Sequence, residues 1–168
     1  KDKQVEIILN LTPPKVHYQI AKKSLLNGKH VYSEKPLAIN LKDGKELLKL
    51  SKKKKLYLGN APDTFLGGGG QLTKQIIDSG EVGEIKLGNF TFAFPGVQSW
   101  HPNPEPWFVE GGGPILDMGP YYYTMLVNLL GPAQSIKAIS SKVSDYRKIG
   151  EGQKKGSDFK VEIPTSYY

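Results

Sequence analysis

The sequence predicts an α/β unit followed by an α+β unit, and three observations carry that reading. Short apolar runs alternate with helical patterns up to residue 60. The rhythm then breaks at Gly59-Asn60-Ala61-Pro62-Asp63-Thr64. Beyond the break lies a long strand pattern, Ile85–Phe94, with Phe90, Phe92 and Phe94 at alternate positions on one face.

The elements follow in order. Val5–Leu11 is a nearly continuous apolar run, the pattern of a strand buried on both faces of a parallel sheet. It ends in Asn10-Leu11-Thr12-Pro13-Pro14, where Thr12 can cap a helix whose first residue is Pro13. That helix runs over 13–27, with Val16, Ile20 and Leu25 among its apolar positions, and closes on Asn27-Gly28. Lys29–Ser33 is the second strand and Glu34-Lys35-Pro36 the loop that leaves it. Asn40 caps a helix to about Lys54 that buries Leu41, Leu47, Leu48 and Leu50, and Leu56–Leu58 is the third strand. Strand–helix–strand–helix–strand with short turns makes a right-handed parallel unit, half of a doubly wound sheet. After residue 60 come a helix with Leu72, Ile76 and Ile77 ending at Ser79-Gly80, the aromatic strand, and the loop Pro95–Glu110. A helix over 115–130, a strand near Ser135–Val143, a mobile polar stretch over 144–157 and a strand from Phe159 follow. Both ends of the chain read as cut, so the sequence is expected to be a fragment.

Composition narrows the function classes. The 168 residues include no cysteine, which leaves no disulfide framework, no cysteine-based zinc site and no thiol nucleophile. No metal site is expected. No apolar run is long enough to span a membrane and no signal peptide opens the chain, so a cytoplasmic protein is expected. The net charge of +7 is unevenly placed: residues 1–60 hold 14 lysines against 5 acids, and residues 61–168 hold 9 basic against 11 acidic residues. The excess sits at helical positions around Lys22-Lys23, Lys42–Lys49 and Lys52–Lys55, and Arg147 is the sole arginine. Base and phosphate readers lean on arginine's bidentate fork, so a solvated lysine face explains the charge and no nucleic-acid partner is expected.

Chemistry-bearing residues concentrate in two places. Ligands bind beyond the carboxyl ends of the strands in open α/β sheets, where Thr12-Pro13-Pro14, His17 and Glu34-Lys35-Pro36 fall. A lysine before proline is held extended, although Lys35 read alone is equally a solvated lysine. His17, on the first helical turn, reads as a surface or capping histidine, and His30 as structural. The second place is Gly111-Gly112-Gly113-Pro114-Ile115-Leu116-Asp117-Met118-Gly119-Pro120-Tyr121. Asp117 and Tyr121 share one face if the segment is a single helix; alternatively Asp117 only satisfies the free N–H groups of a helix start. Trp100 and His101, among prolines, suit the stacking of a sugar ring or the core of an aromatic loop. No HExxH, GxSxG or Walker pattern occurs.

Taken together, Asn10–Pro14, Glu34-Lys35-Pro36, Ala61–Gly67 and Gly111–Tyr122 resemble, in order and separation, the Gfo/Idh/MocA oxidoreductases, the relatives of glucose–fructose oxidoreductase and inositol dehydrogenase. The resemblance covers nearly the whole chain. It implies that residues 1–60 are the carboxyl-terminal half of a Rossmann domain binding NAD or NADP. It implies that residues 61–168 are the amino-terminal part of an α+β domain whose open mixed sheet binds substrate and joins subunits. It further implies hydride transfer between the nicotinamide and a small carbohydrate, in a homo-oligomer with no membrane partner. Residue by residue, it gives Lys35, Asp117 and Tyr121 catalytic roles. Leu11, Thr12, Pro13, His17, Glu34, Lys35 and Pro36 would line the cofactor, and Trp100, His101, Gly112, Asp117 and Tyr121 the substrate. Tyr121 stands where many members have a histidine, and a phenol, with an ordinary pKa of about 10, needs a nearby cation to act as a base. The family's glycine-rich phosphate loop is not among these residues. A non-catalytic carbohydrate-sensing or scaffold relative is the alternative.

Overall fold

The computed structural model describes residues 2–168 as two compact units, the first ending at Pro62 and the second spanning Asp63–Tyr168. In the first, strands β1 (Ile7–Asn10), β2 (His30–Ser33) and β3 (Leu58–Asn60) form a parallel sheet in the order β1-β2-β3. Asn10 lies beside Ser33 and Ser33 beside Asn60, so a polar residue ends each strand at the same level. Helices α1 (Pro14–Leu26) and α2 (Leu41–Lys54) supply the two crossovers.

Both helices cover the same face of the sheet, where Ala21, Leu25, Val31 and Leu47 form the buried core with Tyr18, Leu37, Leu50, Leu56 and Leu58 against it. Burial of a leucine such as Leu25 or Leu47 contributes about 1.5–3 kcal/mol. The Tyr18 hydroxyl donates to Glu46 at 2.6 Å and Lys22 pairs with Glu46, also at 2.6 Å, tying the helices at the surface. The other face of the sheet is bare: Ile7 and Leu9 are about 60% exposed and Tyr32 lies on that face too. The expectation of a β1 buried on both faces is therefore corrected, because the crossover helices this chain supplies lie on one side only.

Local signals meet the structure unevenly. Asn40 caps α2, its side chain accepting from the Asp43 N–H at 2.9 Å. Thr12 does not cap α1; its hydroxyl donates to Asn10 Oδ1 at 2.6 Å, and the helix begins one residue later than expected, after Pro13. Leu47 is buried on α2, whereas Leu41 and Leu48 face solvent. The third strand is displaced to Leu58–Asn60, since Lys55 and Leu56 are spent on the helix C-cap and the turn after it.

In the second unit, helix α3 (Gly68–Ser79) ends on Gly80 in the left-handed region. The expected helix over 115–130 is two helices, α4 (Pro114–Asp117) and α5 (Gly119–Leu130), separated by Met118. Two antiparallel pairs complete the unit: β4 (Ser140–Ser141) with β7 (Ser166–Tyr167), and β5 (Tyr146–Lys148) with β6 (Asp158–Lys160). The core gathers Val97, Phe108, Ile149, Phe159 and Val161, with Trp107 packed on it.

Three expectations are corrected here. Residues 85–94 join no ladder among the described residues; Phe92 instead stacks on Tyr122 of α5, ring centroids 5.5 Å apart. An alternating pattern marks a strand only where another chain segment offers its N–H and C=O groups. The strand near Ser135–Val143 contracts to β4 for the same reason. Residues 144–157, read as mobile, hold β5 and the buried Ile149, whose N–H donates to Ser157 O at 3.0 Å.

Candidate active site

Two groups of predicted residues are built by separate units, and each has its own geometry. In the first unit they lie on the loops leaving β1 and β2, at the carboxyl edge of the sheet. The polar row at the strand ends organises both loops. Asn10 is buried; its Nδ2 donates to His17 O and to Ser33 Oγ, each at 3.2 Å, and its Oδ1 accepts from Thr12. Asn60 donates from Nδ2 to Ser33 O at 2.9 Å and to Glu34 O at 3.0 Å, fixing the start of the Glu34-Lys35-Pro36 loop. The Lys35 N–H then donates to Glu34 Oε1 at 2.9 Å. The Lys35–Pro36 peptide is cis. Lys35 and Glu34 are half-buried, Pro36 is buried, and Leu11 is exposed.

His17 is placed differently from the surface histidine the sequence suggests. It is wholly buried, with Nδ1 2.7 Å from Pro36 O and Nε2 2.5 Å from Thr12 O. The signal was present in the spacing: His17, Ala21 and Leu25 recur every four residues, one helical stripe, and all three are buried. The sequence reading assigned no site role to Asn10, Ser33 or Asn60. An asparagine closing an apolar strand was the available clue, since a buried amide must find partners.

In the second unit the loop over 95–110 is held by the lone arginine. Arg147 donates from one guanidinium nitrogen to Pro95 O at 3.0 Å and to Gln98 Oε1 at 3.1 Å, and lies 5.2 Å from the Phe108 ring centroid. The loop presents Trp100, which is 59% exposed, beside His101, with ring centroids 5.5 Å apart and nearly perpendicular. His101 stacks in turn against Trp107 at 4.7 Å, and its Nδ1 accepts from the Asn103 N–H at 3.0 Å. That hydrogen bond leaves the ring proton on Nε2. Glu105, paired with Lys154 at 2.8 Å, has its carboxyl held below the ordinary carboxylate range, chiefly by that hydrogen bond.

The glycine run serves packing first. A Cβ on Gly112 would stand 2.6 Å from Pro106 O and 2.8 Å from Trp107 C, and one on Gly113 would stand 2.6 Å from the Ile163 side chain. The space Gly112 leaves is thus taken by the chain itself. Asp117 closes α4, its N–H donating to Gly113 O at 2.9 Å, and Tyr121 lies in the first turn of α5. Both are half-buried. Met118, between the two helices, keeps a right-handed helical backbone, and its N–H donates to Pro114 O at 2.9 Å.

The loop chemistry fits one end of a dinucleotide and not the other. An exposed leucine, a threonine and a lysine at the carboxyl edge suit a flat nicotinamide and the oxygen of a reacting group. The β1–α1 turn cannot cradle phosphate as a glycine-rich turn does, because Pro13 and Pro14 carry no N–H. Among the described residues no group of three histidine or acidic side chains could hold a metal ion, and no helix is long and apolar enough to cross a membrane.

Comparison with known proteins bears on both units. Residues 1–61 match the model of an oxidoreductase family with an NAD-binding Rossmann fold, and residues 71–162 match that of the GFO/IDH/MocA C-terminal domain. An uncharacterised oxidoreductase of Schizosaccharomyces pombe is 32% identical over 143 residues, covering 82% of this chain and 37% of the relative. The D-xylose dehydrogenase of Paenarthrobacter nicotinovorans is 30% identical over 146 residues, with coverage of 82% and 37%. Among solved structures, an NAD binding oxidoreductase from Klebsiella pneumoniae superposes with a TM-score of 0.76 at 25% identity, over 97% of this chain and 43% of that one. The chain thus spans about two fifths of the length of the curated relatives it matches.

Proposed function

The chain belongs to the Gfo/Idh/MocA oxidoreductases, whose amino-terminal domain is an NAD-binding Rossmann fold, and from that premise we propose that the protein transfers a hydride between NAD(P) and a sugar, polyol or related small carbohydrate. The observation that carries the reading is the position of Lys35. It sits on the loop leaving β2 at the carboxyl edge of the parallel sheet, its backbone fixed by Glu34 and Asn60.

In this reading the Lys35 ammonium binds the reacting oxygen and stabilises the negative charge it acquires as its proton leaves. Asp117 accepts a hydrogen bond from a substrate hydroxyl and sets its orientation. Tyr121 is the acid/base that exchanges a proton with a substrate hydroxyl. Trp100 offers an apolar ring face to the sugar, and His101 donates from Nε2 to a hydroxyl. Leu11, Thr12 and Pro13 flank the nicotinamide, and Glu34 and Pro36 shape the Lys35 side of it. The nicotinamide, when bound, supplies or accepts the hydride. We place the protein in the cytoplasm as a homo-oligomer assembled through the second unit's sheet.

Replacement of Lys35 by methionine tests the assignment in the full-length protein, with NADH absorbance followed on a panel of sugars and polyols that includes D-xylose. A fall in kcat of about 10²–10⁴-fold is expected for loss of a group that assists proton transfer. Undiminished kcat in Lys35→Met would refute it. A second reading, a non-catalytic carbohydrate-binding relative, draws support from Tyr121 in the place of the usual histidine. Calorimetric titration of the full-length protein with NAD and NADP separates the two, since tight cofactor binding without turnover on any sugar favours the second.

A further inference from the structure

Among the described residues of the first unit His17 is the most deeply buried ionisable side chain, and none of the chemistry above uses its ring. Both ring nitrogens face backbone carbonyl oxygens: Nδ1 that of Pro36 at 2.7 Å, Nε2 that of Thr12 at 2.5 Å. A neutral imidazole has one N–H and one lone pair, and a carbonyl oxygen only accepts. With a single ring proton, one of these two short contacts would set lone pair against lone pair in a site with no exposed surface. Two ring protons satisfy both contacts, and each becomes a charge-assisted hydrogen bond, the stronger kind.

We propose that His17 is a doubly protonated clamp that joins the loop leaving β1, through Thr12, to the loop leaving β2, through Pro36, and so acts as a positioning residue for Lys35. The surroundings fit such a role. The backbone of His17 is itself anchored, its carbonyl accepting from Asn10 Nδ2, and Asn10 in turn holds Thr12 and Ser33. The ring is therefore fixed from α1, β1 and β2 together, and it sets the separation of the two loops rather than following it. The family resemblance implies a place for His17 beside the cofactor; burial and hydrogen bonding assign its ring to the protein interior, with its effect on ligands exerted through Thr12 and Pro36. The consequence for catalysis rests on the role proposed for Lys35. The clamp does not, because it rests only on the contacts of the two ring nitrogens.

Nuclear magnetic resonance on the isotope-labelled 168-residue chain tests it without any substitution. Scalar couplings across hydrogen bonds are expected from both ring nitrogens, one to the Pro36 carbonyl carbon and one to that of Thr12, with a proton attached to each nitrogen. A proton on only one nitrogen, or coupling to only one carbonyl, overturns the proposal. Positioning is read in His17→Gln, whose side-chain amide can donate to one carbonyl but presents an oxygen to the other. Its Lys35 and Leu37 amide resonances should shift while those of Leu25 and Leu47 stay in place. Unmoved Lys35 and Leu37 signals would remove the positioning role. If His17→Gln does not fold, the couplings in the unsubstituted chain still decide the clamp. A failed Lys35→Met assay alongside both couplings would sink the catalytic reading and leave the clamp standing.

Discussion

Replacement of Gly112 by alanine distinguishes a glycine run that clears room for a ligand from one demanded by internal packing. The added Cβ would meet Pro106 O at 2.6 Å and Trp107 C at 2.8 Å, whereas ordinary contact begins at 3.4 Å. The gap is short by about 0.8 Å on the carbonyl side, and both neighbours are backbone, which cannot rotate away as a side-chain end can. The Gly112 N–H donates to Val109 O at 2.9 Å and the Gly113 N–H to Trp107 O at 2.8 Å, so opening the turn also loosens hydrogen bonds. Overpacking of this kind costs about 1–3 kcal/mol and a loosened hydrogen bond about 1 kcal/mol, which together give about 2–4 kcal/mol. For a unit of this size, at about 4 °C per kcal/mol, Tm should fall by about 8–16 °C. Gly69→Ala is the control. It lies inside α3 with nothing within 4 Å of its Cβ position, and alanine there should stabilise by about 0.5–1 kcal/mol. The assay is thermal unfolding of the 168-residue chain, with no ligand added. A Gly112→Ala variant that melts within about 1 °C of the parent chain, where the packing cost alone predicts a several-fold larger fall, would refute the packing argument and return the glycine to ligand clearance.

Other expectations follow from single contacts. Asn40→Ala removes the cap on α2 and should destabilise the first unit by about 1 kcal/mol, read by chemical denaturation; no change would mean that the N–H of Asp43 is as well served by water. Arg147→Lys keeps the charge but loses the planar fork over Phe108, so a loss of about 1–2 kcal/mol is expected in the same measurement. Glu105 has a folded-state pKa below its ordinary 4.5 because of Lys154, so its contribution is full above that value and disappears as pH falls through the depressed folded value. Stability measured against pH should therefore decline more steeply below pH 4.5 in the parent chain than in Lys154→Met, and parallel profiles would show that the pair contributes nothing.

How much of this was legible beforehand differs from residue to residue. The cap at Asn40, the end of α3 at Gly80 and the loop character of Glu34-Lys35-Pro36 could be read directly, because each depends on a few neighbouring residues. So could the order of elements in the first unit and the family, whose motifs are local in the same sense. His17 shows where such reading stops. Its stripe with Ala21 and Leu25 was visible, but its partner carbonyl at Pro36 lies nineteen residues away and reaches it only once β2 is laid beside β1. Arg147 is a similar case, its place on Phe108 and Pro95 decided by distant pairing of β5 with β6.

Sequence patterning determined what each segment can be: a period, a cap, a turn, a residue type able to do chemistry. The tertiary structure decided which of those possibilities was used. It left one face of the first sheet bare where an apolar run had implied two covered faces, and it withheld a ladder partner from residues 85–94 despite their alternation. It also filled the space beside Gly112 with the chain's own backbone. Propensity and capping act over one or two turns, whereas burial, pairing and close packing are properties of segments brought together from far apart, and no local pattern specifies its partner.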